Sequence, residues 1–246
     1  MFGQNPIRKQ DLTSPQRLRV QEVFPTIQGE GPYAGLPAVF VRLHGCNLKC
    51  FWCDTDFESS TWEPSIDELM DHIEDAFSEL GEPNPFIGRL VVITGGEPLI
   101  QNLEWLIGEL VEHGCLTQIE TNGSCWQPNL IRFIEMGRLV FVCSPKTGKV
   151  HKEILDHCIH WKYIVDALSA DEEDGLPIAS TQTEGKYMKL ARPKPSNPWN
   201  NIWVQPMDMD HVNPNITKAN TAHATGLVMK YGYRLCIQTH KVVGLP

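Results

Sequence analysis

Three cysteines lie in one short segment of this 246-residue chain, as Cys46, Cys50 and Cys53, while the other five are scattered singly. Thiolates are soft ligands that suit iron–sulfur clusters or zinc. A tetrahedral structural zinc site needs four ligands, and a fourth from His44 or Asp54 would be strained because both are close to a cysteine in sequence. A four-iron cluster bound by three thiolates instead leaves one iron open to a substrate or cofactor. The spacing therefore favours a cluster over zinc.

The elements that must position these thiols are predicted from periodicity. Helical spacing predicts helices over 66–77, 103–111 and 216–231, the first with a capping box at Ser65 and Glu68. Seven runs rich in β-branched and aromatic residues predict strands, over 38–44, 90–94, 116–121, 139–144, 161–166, 202–205 and 234–238. Strands alternating with helices predict an α/β fold with a parallel sheet. Because the chain is short for eight strand–helix units, we expect a partial, incomplete TIM-like barrel.

Unusual residues follow the predicted strands at the point where each strand ends. The carboxyl ends of strands in a parallel barrel share one rim, so these segments are expected to converge on one site. They are residues 45–53, 95–98, 122–123, 144–146 and 205–208. The acidic, turn-rich stretch 171–185 is interpreted as a surface loop.

Composition restricts the classes of partner. Lysine plus arginine is 21 and aspartate plus glutamate is 30, a formal charge of −9, which argues against a protein that grips a nucleic-acid backbone. No apolar run approaches the ~18 residues of a spanning helix, and the N-terminal stretch lacks the apolar core of a signal peptide. We expect a soluble, cytoplasmic protein without nucleic-acid or membrane partners.

The remaining cysteine and aromatic patterns have simpler interpretations. Cys115, Cys143 and Cys236 lie in or beside predicted strands and are expected to be buried apolar residues. The run 157–160 (HCIH) contains metal-ligand types but lies away from the expected site. The tryptophans at 62, 105, 126, 161, 199 and 203 are expected in the core or an interface.

The C-x3-C-x2-C spacing, with an aromatic residue before the last cysteine, resembles the radical S-adenosylmethionine superfamily. The segment 95–98 (GGEP) is similar to its GGE segment. The segments 24–31 (FPTIQGEG), 42–46 (RLHGC), 53–55 (CDT) and 238–241 (QTHK) are similar to its ring-contracting family, which forms a 7-deazapurine, the queuosine precursor. The resemblance implies one radical core domain over 1–246, with an N-terminal extension over 1–18 and a variable insertion over 56–89.

The resemblance also implies a reaction and its cofactors. The enzyme would be a carbon–nitrogen lyase that converts 6-carboxy-5,6,7,8-tetrahydropterin to 7-carboxy-7-deazaguanine with loss of ammonia. Its cofactors would be a 4Fe–4S cluster on Cys46, Cys50 and Cys53, S-adenosylmethionine, and Mg²⁺ with the hard oxygen of Thr55 as a ligand. Because the cofactor supplies the radical, no side-chain acid or base is expected.

Site residues are carried over by motif. S-adenosylmethionine would contact Trp52, Cys53, Asp54, Gly96, Glu97, Glu120, Ser144, Pro145, Lys146, Gln205, Pro206, Met207 and Asp208. Paired glycines would let the backbone approach that ligand, and Glu97 would accept from its ammonium group. The pterin would contact Ile27, Gln28, Gly29, Arg42, Thr94 and Pro246.

The resemblance also implies an electron donor, such as flavodoxin or ferredoxin, and a homodimer. Two alternatives stay open. One is a glycyl-radical-enzyme activase of the same superfamily, which would act on a protein. The other is a non-catalytic zinc-binding interaction module.

Overall fold

The structure, a computed structural model, describes residues 4–14, 16–53, 55–81, 88–198 and 201–245. Within these residues, eight strands form one sheet in chain order. They are β1 (Val20–Ile27), β2 (Pro37–Leu43), β3 (Leu90–Gly95), β4 (Leu116–Thr121), β5 (Leu139–Cys143), β6 (His160–Val165), β7 (Ile202–Pro206) and β8 (Arg234–Leu235). The sheet is open, with β1 and β8 at its edges. The predicted incomplete barrel is confirmed.

Six α-helices accompany the strands within the same residues. They are α1 (Ile66–Glu79), α2 (Glu104–Glu112), α3 (Ile131–Glu135), α4 (Lys152–His157), α5 (Pro214–Tyr231) and α6 (Thr239–Val242). The three longest, α1, α2 and α5, are those that the helical spacing predicts. Helix α1 begins at the predicted capping box, in which Ser65 and Glu68 exchange hydrogen bonds. Among the described helices, none has the length and apolar character needed to cross a membrane.

The sequence pattern does not predict β1, whose residues (VQEVFPTI) mix polar and apolar types and include Pro25. This strand pairs antiparallel with β2, whereas the later neighbours pair parallel. The connection over 28–36 is shorter than the dozen or so residues that a parallel crossover requires. A short connection therefore adds an antiparallel edge to a parallel sheet.

The main core lies between the sheet and its helices. Val41 and Ile93 on the strands belong to the same fully buried cluster as Leu69 and Ile73 of α1 and Leu106 of α2. Burying each such side chain stabilises the fold by roughly 1.5–3 kcal/mol. These contacts anchor the strands whose ends carry the site.

The inner face of the sheet is apolar at the amino ends of its strands, where Ala38, Leu90 and Val92 form a small cluster, and polar toward their carboxyl ends. Side chains alternate along a strand. Trp161 and Tyr163 of β6 are therefore buried on the outer face, and Lys162 between them in sequence points inward and lines a cavity. Parallel register places Arg42 of β2 beside Thr94 of β3, and both line the same cavity. Strand register thus assembles polar groups from distant parts of the chain.

Candidate active site

A cavity of about 1010 Å³ lies at the carboxyl ends of the parallel strands. All five segments predicted to converge contribute to its wall, so that prediction is confirmed. The contributing residues are Cys46, Leu48, Cys50, Phe51, Trp52 and Cys53, then Gly95 and Gly96, then Asn122, then Ser144 and Lys146, and then Gln205, Pro206, Met207 and Asp208.

The cysteine loop, residues 45–53, leaves the end of β2 and places its three thiols on the cavity wall. Cys46 is buried, whereas Cys50 and Cys53 are half-buried, and all three are free of disulfides. Burial raises the pKa of the Cys46 thiol to about 12. A bound metal must therefore supply the positive charge that makes this thiol a thiolate ligand.

The donor set of the cysteine loop suits a cluster better than a single ion. In the described residues, which leave out Asp54, no three His, Cys, Asp or Glu side chains converge where one metal ion could bind. A tetrahedral structural zinc ion needs four protein ligands, whereas a four-iron cluster that leaves one iron open needs three thiolates, the number that this loop places on the cavity wall.

The paired glycines after β3 are required by the packing of the chain against itself. A Cβ at Gly95, which has φ 134°, would overlap the carbonyl oxygen of Leu43. A Cβ at Gly96 would overlap the carbonyl of Gly45 and lie 2.8 Å from the Cβ of Cys46. This packing against β2 and the cysteine loop requires glycine at both positions, and the approach of a ligand to the same backbone stays a prediction.

Glu97 lies behind the cavity wall. It is fully buried, and its carboxylate accepts hydrogen bonds from Thr121 Oγ1 at 2.7 Å, the Asn122 amide at 2.7 Å and the Leu99 amide at 3.1 Å. Burial raises its pKa to about 7 even though these bonds favour the charged form. The carboxylate joins the end of β3 to the end of β4, and it is not among the residues that line the cavity. Direct contact with an ammonium group stays a prediction.

One side of the cavity carries a lysine beside an aromatic ring. Lys146 Nζ donates to Ser144 Oγ at 2.6 Å and to the Ser144 carbonyl at 3.0 Å, and it lies 5.9 Å from the centre of the Trp52 ring. Burial lowers the pKa of Lys146. Pro145 is buried and does not line the cavity.

The residues predicted to contact the pterin divide into two sets. Gln28, Arg42 and Thr94 line the cavity, whereas Ile27 and Gly29 do not. The Arg42 Nε donates to Glu22 at 2.6 Å on the neighbouring strand. Asp54 and Pro246, also predicted as site residues, lie outside the described residues.

Sequence reasoning names Gln28 and Glu120 as site residues but misses the group of charged and amide side chains to which they belong, here called the interior network. Its members are Gln28, Glu30, Gln118, Glu120, Lys162 and Gln238. Lys162 Nζ pairs with Glu30 Oε2 and lies 3.9 Å from Glu120 Oε2. Gln28 and Gln118 donate to Glu120 at 3.2 and 3.1 Å, and Gln238 donates to Glu30 at 2.9 Å.

Within the interior network, Lys162 and Glu30 hold each other in the charged form. Burial by itself would lower the pKa of Lys162, but Glu120 and Glu30 raise it above its usual value. Burial by itself would raise the pKa of Glu30, but Lys162 holds it below its usual value. The network is thus a paired set of buried charges, as burial requires.

A signal for this network is present in the strand sequences. Lys162 stands between two aromatic residues of a predicted strand, and period-two alternation puts it on the opposite face from both. Gln118 and Glu120 share a face of β4 for the same reason. Buried polar side chains on one face of barrel strands indicate a polar interior.

The family comparisons agree with the geometry. A family model described as a 4Fe-4S single cluster domain matches residues 27–138. A 7-carboxy-7-deazaguanine synthase of Rhodospirillum rubrum is 43% identical over 248 residues, covering 99% of this chain and 99% of that protein. A 7-carboxy-7-deazaguanine synthase of Rickettsia prowazekii is 33% identical, covering 100% of this chain and 96% of the relative.

A solved structure shares the fold. The crystal structure of QueE from Escherichia coli superposes with a TM-score of 0.56 at 23% sequence identity, covering 90% of this chain and 94% of that chain. At this identity the likeness concerns the architecture, which is again that of a partial barrel.

Proposed function

This chain belongs to the 7-carboxy-7-deazaguanine synthase family, radical S-adenosylmethionine lyases of 7-deazapurine biosynthesis. From this premise we propose which side of its cavity binds the cofactor and which side binds the substrate. The 4Fe-4S family match and the synthase names set aside the zinc module and the glycyl-radical activase. The observation that carries the proposal is that three thiols and a polar strand-borne network line one cavity.

We assign the cofactor to the side of the cavity formed by the cysteine loop. Cys46, Cys50 and Cys53 would hold the cluster, which together with S-adenosylmethionine supplies the radical that starts the reaction. Trp52 and Lys146 offer a ring face and a cation beside the loop. Gly96, Ser144, Gln205, Pro206, Met207 and Asp208 would line the rest of the cofactor site, with the buried Glu97 and Pro145 supporting the turns that carry it.

We assign the substrate, 6-carboxy-5,6,7,8-tetrahydropterin, to the inner face of the sheet. Arg42 and Thr94 are register neighbours and would bind its carboxylate. Gln28 would bind donor and acceptor groups of its ring, whereas Glu120, which accepts from Gln28, is kept as a contact of S-adenosylmethionine. The lining supports this side, because the polar side chains of Gln28, Arg42 and Thr94 all line the cavity.

Magnesium is the finer part of the proposal. Thr55 follows the last cysteine and lines the same cavity, and a hydroxyl is a hard oxygen donor suited to Mg²⁺. The metal would orient the substrate carboxylate for rearrangement. The contribution of Pro246 to the substrate site, a homodimer, and a flavodoxin or ferredoxin as the electron donor are further parts of the proposal.

The test is anaerobic turnover of the purified, cluster-loaded chain with reductant, S-adenosylmethionine, Mg²⁺ and the carboxypterin. We expect formation of 7-carboxy-7-deazaguanine together with ammonia, each dependent on S-adenosylmethionine and reductant. A cluster-loaded enzyme that consumes no carboxypterin would overturn the substrate assignment.

Thr55→Ala tests the metal separately. This variant should retain iron and sulfide but lose the stimulation of turnover by Mg²⁺, because the missing hydroxyl is the proposed ligand. A native enzyme that is equally active with and without Mg²⁺ would refute the metal site while leaving the cluster assignment intact.

A further inference from the structure

The loop between β6 and β7 folds back over the cysteine loop. The Phe51 amide donates to the Thr181 carbonyl at 3.0 Å, and the Lys49 amide donates to Gln182 Oε1 at 3.0 Å. Thr181 Oγ1 donates to the Lys146 carbonyl at 2.7 Å. A stretch interpreted from sequence as a surface loop therefore packs against the loop that carries the proposed cluster ligands.

The side-chain amide of Gln182 is held in one orientation. Its Oε1 accepts from the Lys49 amide, so its NH₂ group must point the other way. Nε2 lies 2.7 Å from Thr181 Oγ1 and 3.1 Å from Cys50 Sγ. Its two hydrogens thus match two acceptors, one of which is the sulfur of a predicted cluster ligand.

Gln182 is the side-chain donor of this loop to that sulfur. Thr181 Oγ1 also lies 3.4 Å from Cys50 Sγ, but its hydrogen is committed to the Lys146 carbonyl. A thiol at Cys50 can donate to Thr181, whereas a thiolate bound to iron has no hydrogen to donate. In a cluster-bound state, Gln182 would therefore supply the N–H···S bond to Cys50.

Hydrogen bonds to the sulfurs are one of the levers that set the reduction potential of a cluster. A reduced cluster carries one more negative charge than an oxidised one, and a donor stabilises the more negative state more strongly. We propose that Gln182 is a positioning residue that orients the Cys50 ligand and raises the reduction potential of the cluster. This inference rests on the proposed function, because it requires a cluster on Cys50.

The test is an EPR-monitored redox titration of the anaerobically reconstituted enzyme. Gln182→Leu removes the donor at similar size, and Gln182→Glu keeps the acceptor for Lys49 while replacing the donor with a negative charge. Thr183→Val, an exposed position on the same loop, is the matched control. Iron and sulfide are measured for every variant.

We expect both Gln182 variants to titrate at a lower potential than the native enzyme and the control. For Gln182→Leu the ratio of reduced to oxidised cluster at a fixed potential should fall roughly tenfold, which corresponds to about 59 mV for one electron. For Gln182→Glu this ratio should fall further, because the negative charge of the new carboxylate repels the reduced cluster.

Two outcomes would overturn the inference. One is a set of variants with full cluster content that titrate like Thr183→Val. The other is failure of both Gln182 variants to take up a cluster that the control binds, since Gln182 would then build the site instead of tuning it. A native chain that binds no cluster would instead refute the proposed function itself.

Discussion

The cysteine loop and the interior network line one cavity but are held there in different ways. The loop has no regular structure beyond short turns, and other parts of the chain hold it by hydrogen bonds: the Arg8 amide donates to the Cys46 carbonyl at 2.8 Å, and Gln182 contacts Cys50. The core of the interior network lies on strands, with Glu120 on β4 and Lys162 on β6, where backbone ladders fix each side chain.

This difference follows from the electrostatic cost of each set of groups. Burying a neutral thiol costs little free energy, so an irregular loop is enough to hold it until a metal binds. A buried charge is costly unless its partner is already in place, so carboxylates and ammonium groups need a rigid frame. The predictions below test this contrast from the largest expected effect to the smallest.

Removing a thiol should abolish the chemistry without unfolding the chain. Cys50→Ala is expected to lose iron and to reduce turnover to background, because two thiolates hold the cluster poorly. Cys115→Ala, at a buried free cysteine outside the cavity, should retain iron. Iron and sulfide content and anaerobic turnover measure the difference. An active Cys50→Ala enzyme with full iron content would exclude Cys50 as a ligand.

Removing the ammonium group of Lys162 should instead cause a large loss of folding stability. Lys162→Met leaves the buried Glu30 without its cation, which costs about 3–5 kcal/mol for a broken buried pair. Urea unfolding measures the loss, and Lys152→Met, at an exposed lysine paired with Asp156, should lower the free energy of unfolding by no more than about 1 kcal/mol. The double variant Lys162→Met/Glu30→Gln should recover part of the loss. If Lys162→Met were as stable as Lys152→Met, the network would not be a mutually paired set.

The buried carboxyl behind the cysteine loop should make stability depend on pH. The pKa of Glu97 rises from an ordinary 4.5 to about 7 through burial, so the folded state binds its proton more tightly than the unfolded state. The stability that this tighter binding provides is fully present below pH 4.5 and is lost as pH rises through 7. Over this range the free energy of unfolding falls by about 3 kcal/mol.

Glu97→Gln removes this titration. Urea midpoints measured from pH 4.5 to 8 should therefore decline less steeply for the variant than for the native enzyme, while Glu112→Gln, at an exposed position, should follow the native curve. Parallel curves for all three proteins would assign the pH dependence to other groups.

The smallest effect is expected from the N-terminal segment. Arg8 binds Glu58 through two hydrogen bonds of 3.2 and 2.6 Å, and Glu58 lies 3.2 Å from His44 Nε2. Arg8→Met should cost about 1 kcal/mol, as partly exposed ion pairs do, and should accelerate the release of iron to a chelator. Arg138→Met serves as the control. An iron-release rate equal to that of the control would show that the N-terminal segment does not support the cysteine loop.

Much of the frame could be predicted because its signals are local. Seven strands and the three longest helices follow from period-two and helical patterns and from a capping box, which depend on residues a few positions apart. The edge strand β1 was missed because its residues do not alternate clearly and a proline interrupts them. The convergence of five strand-end segments followed from one rule of parallel topology, once the strands were predicted.

The sequence alone determined the type and spacing of the thiols, the strands and helices around them, and hence the class of chemistry that they suit. Only the tertiary structure decided which donors reach those thiols, that the paired glycines pack against the chain itself, and that Lys162 meets Glu30. Lys162 and Glu30 are 132 positions apart, as are Gln182 and Cys50. Such pairs are made by strand register and loop packing, and no local periodicity encodes them.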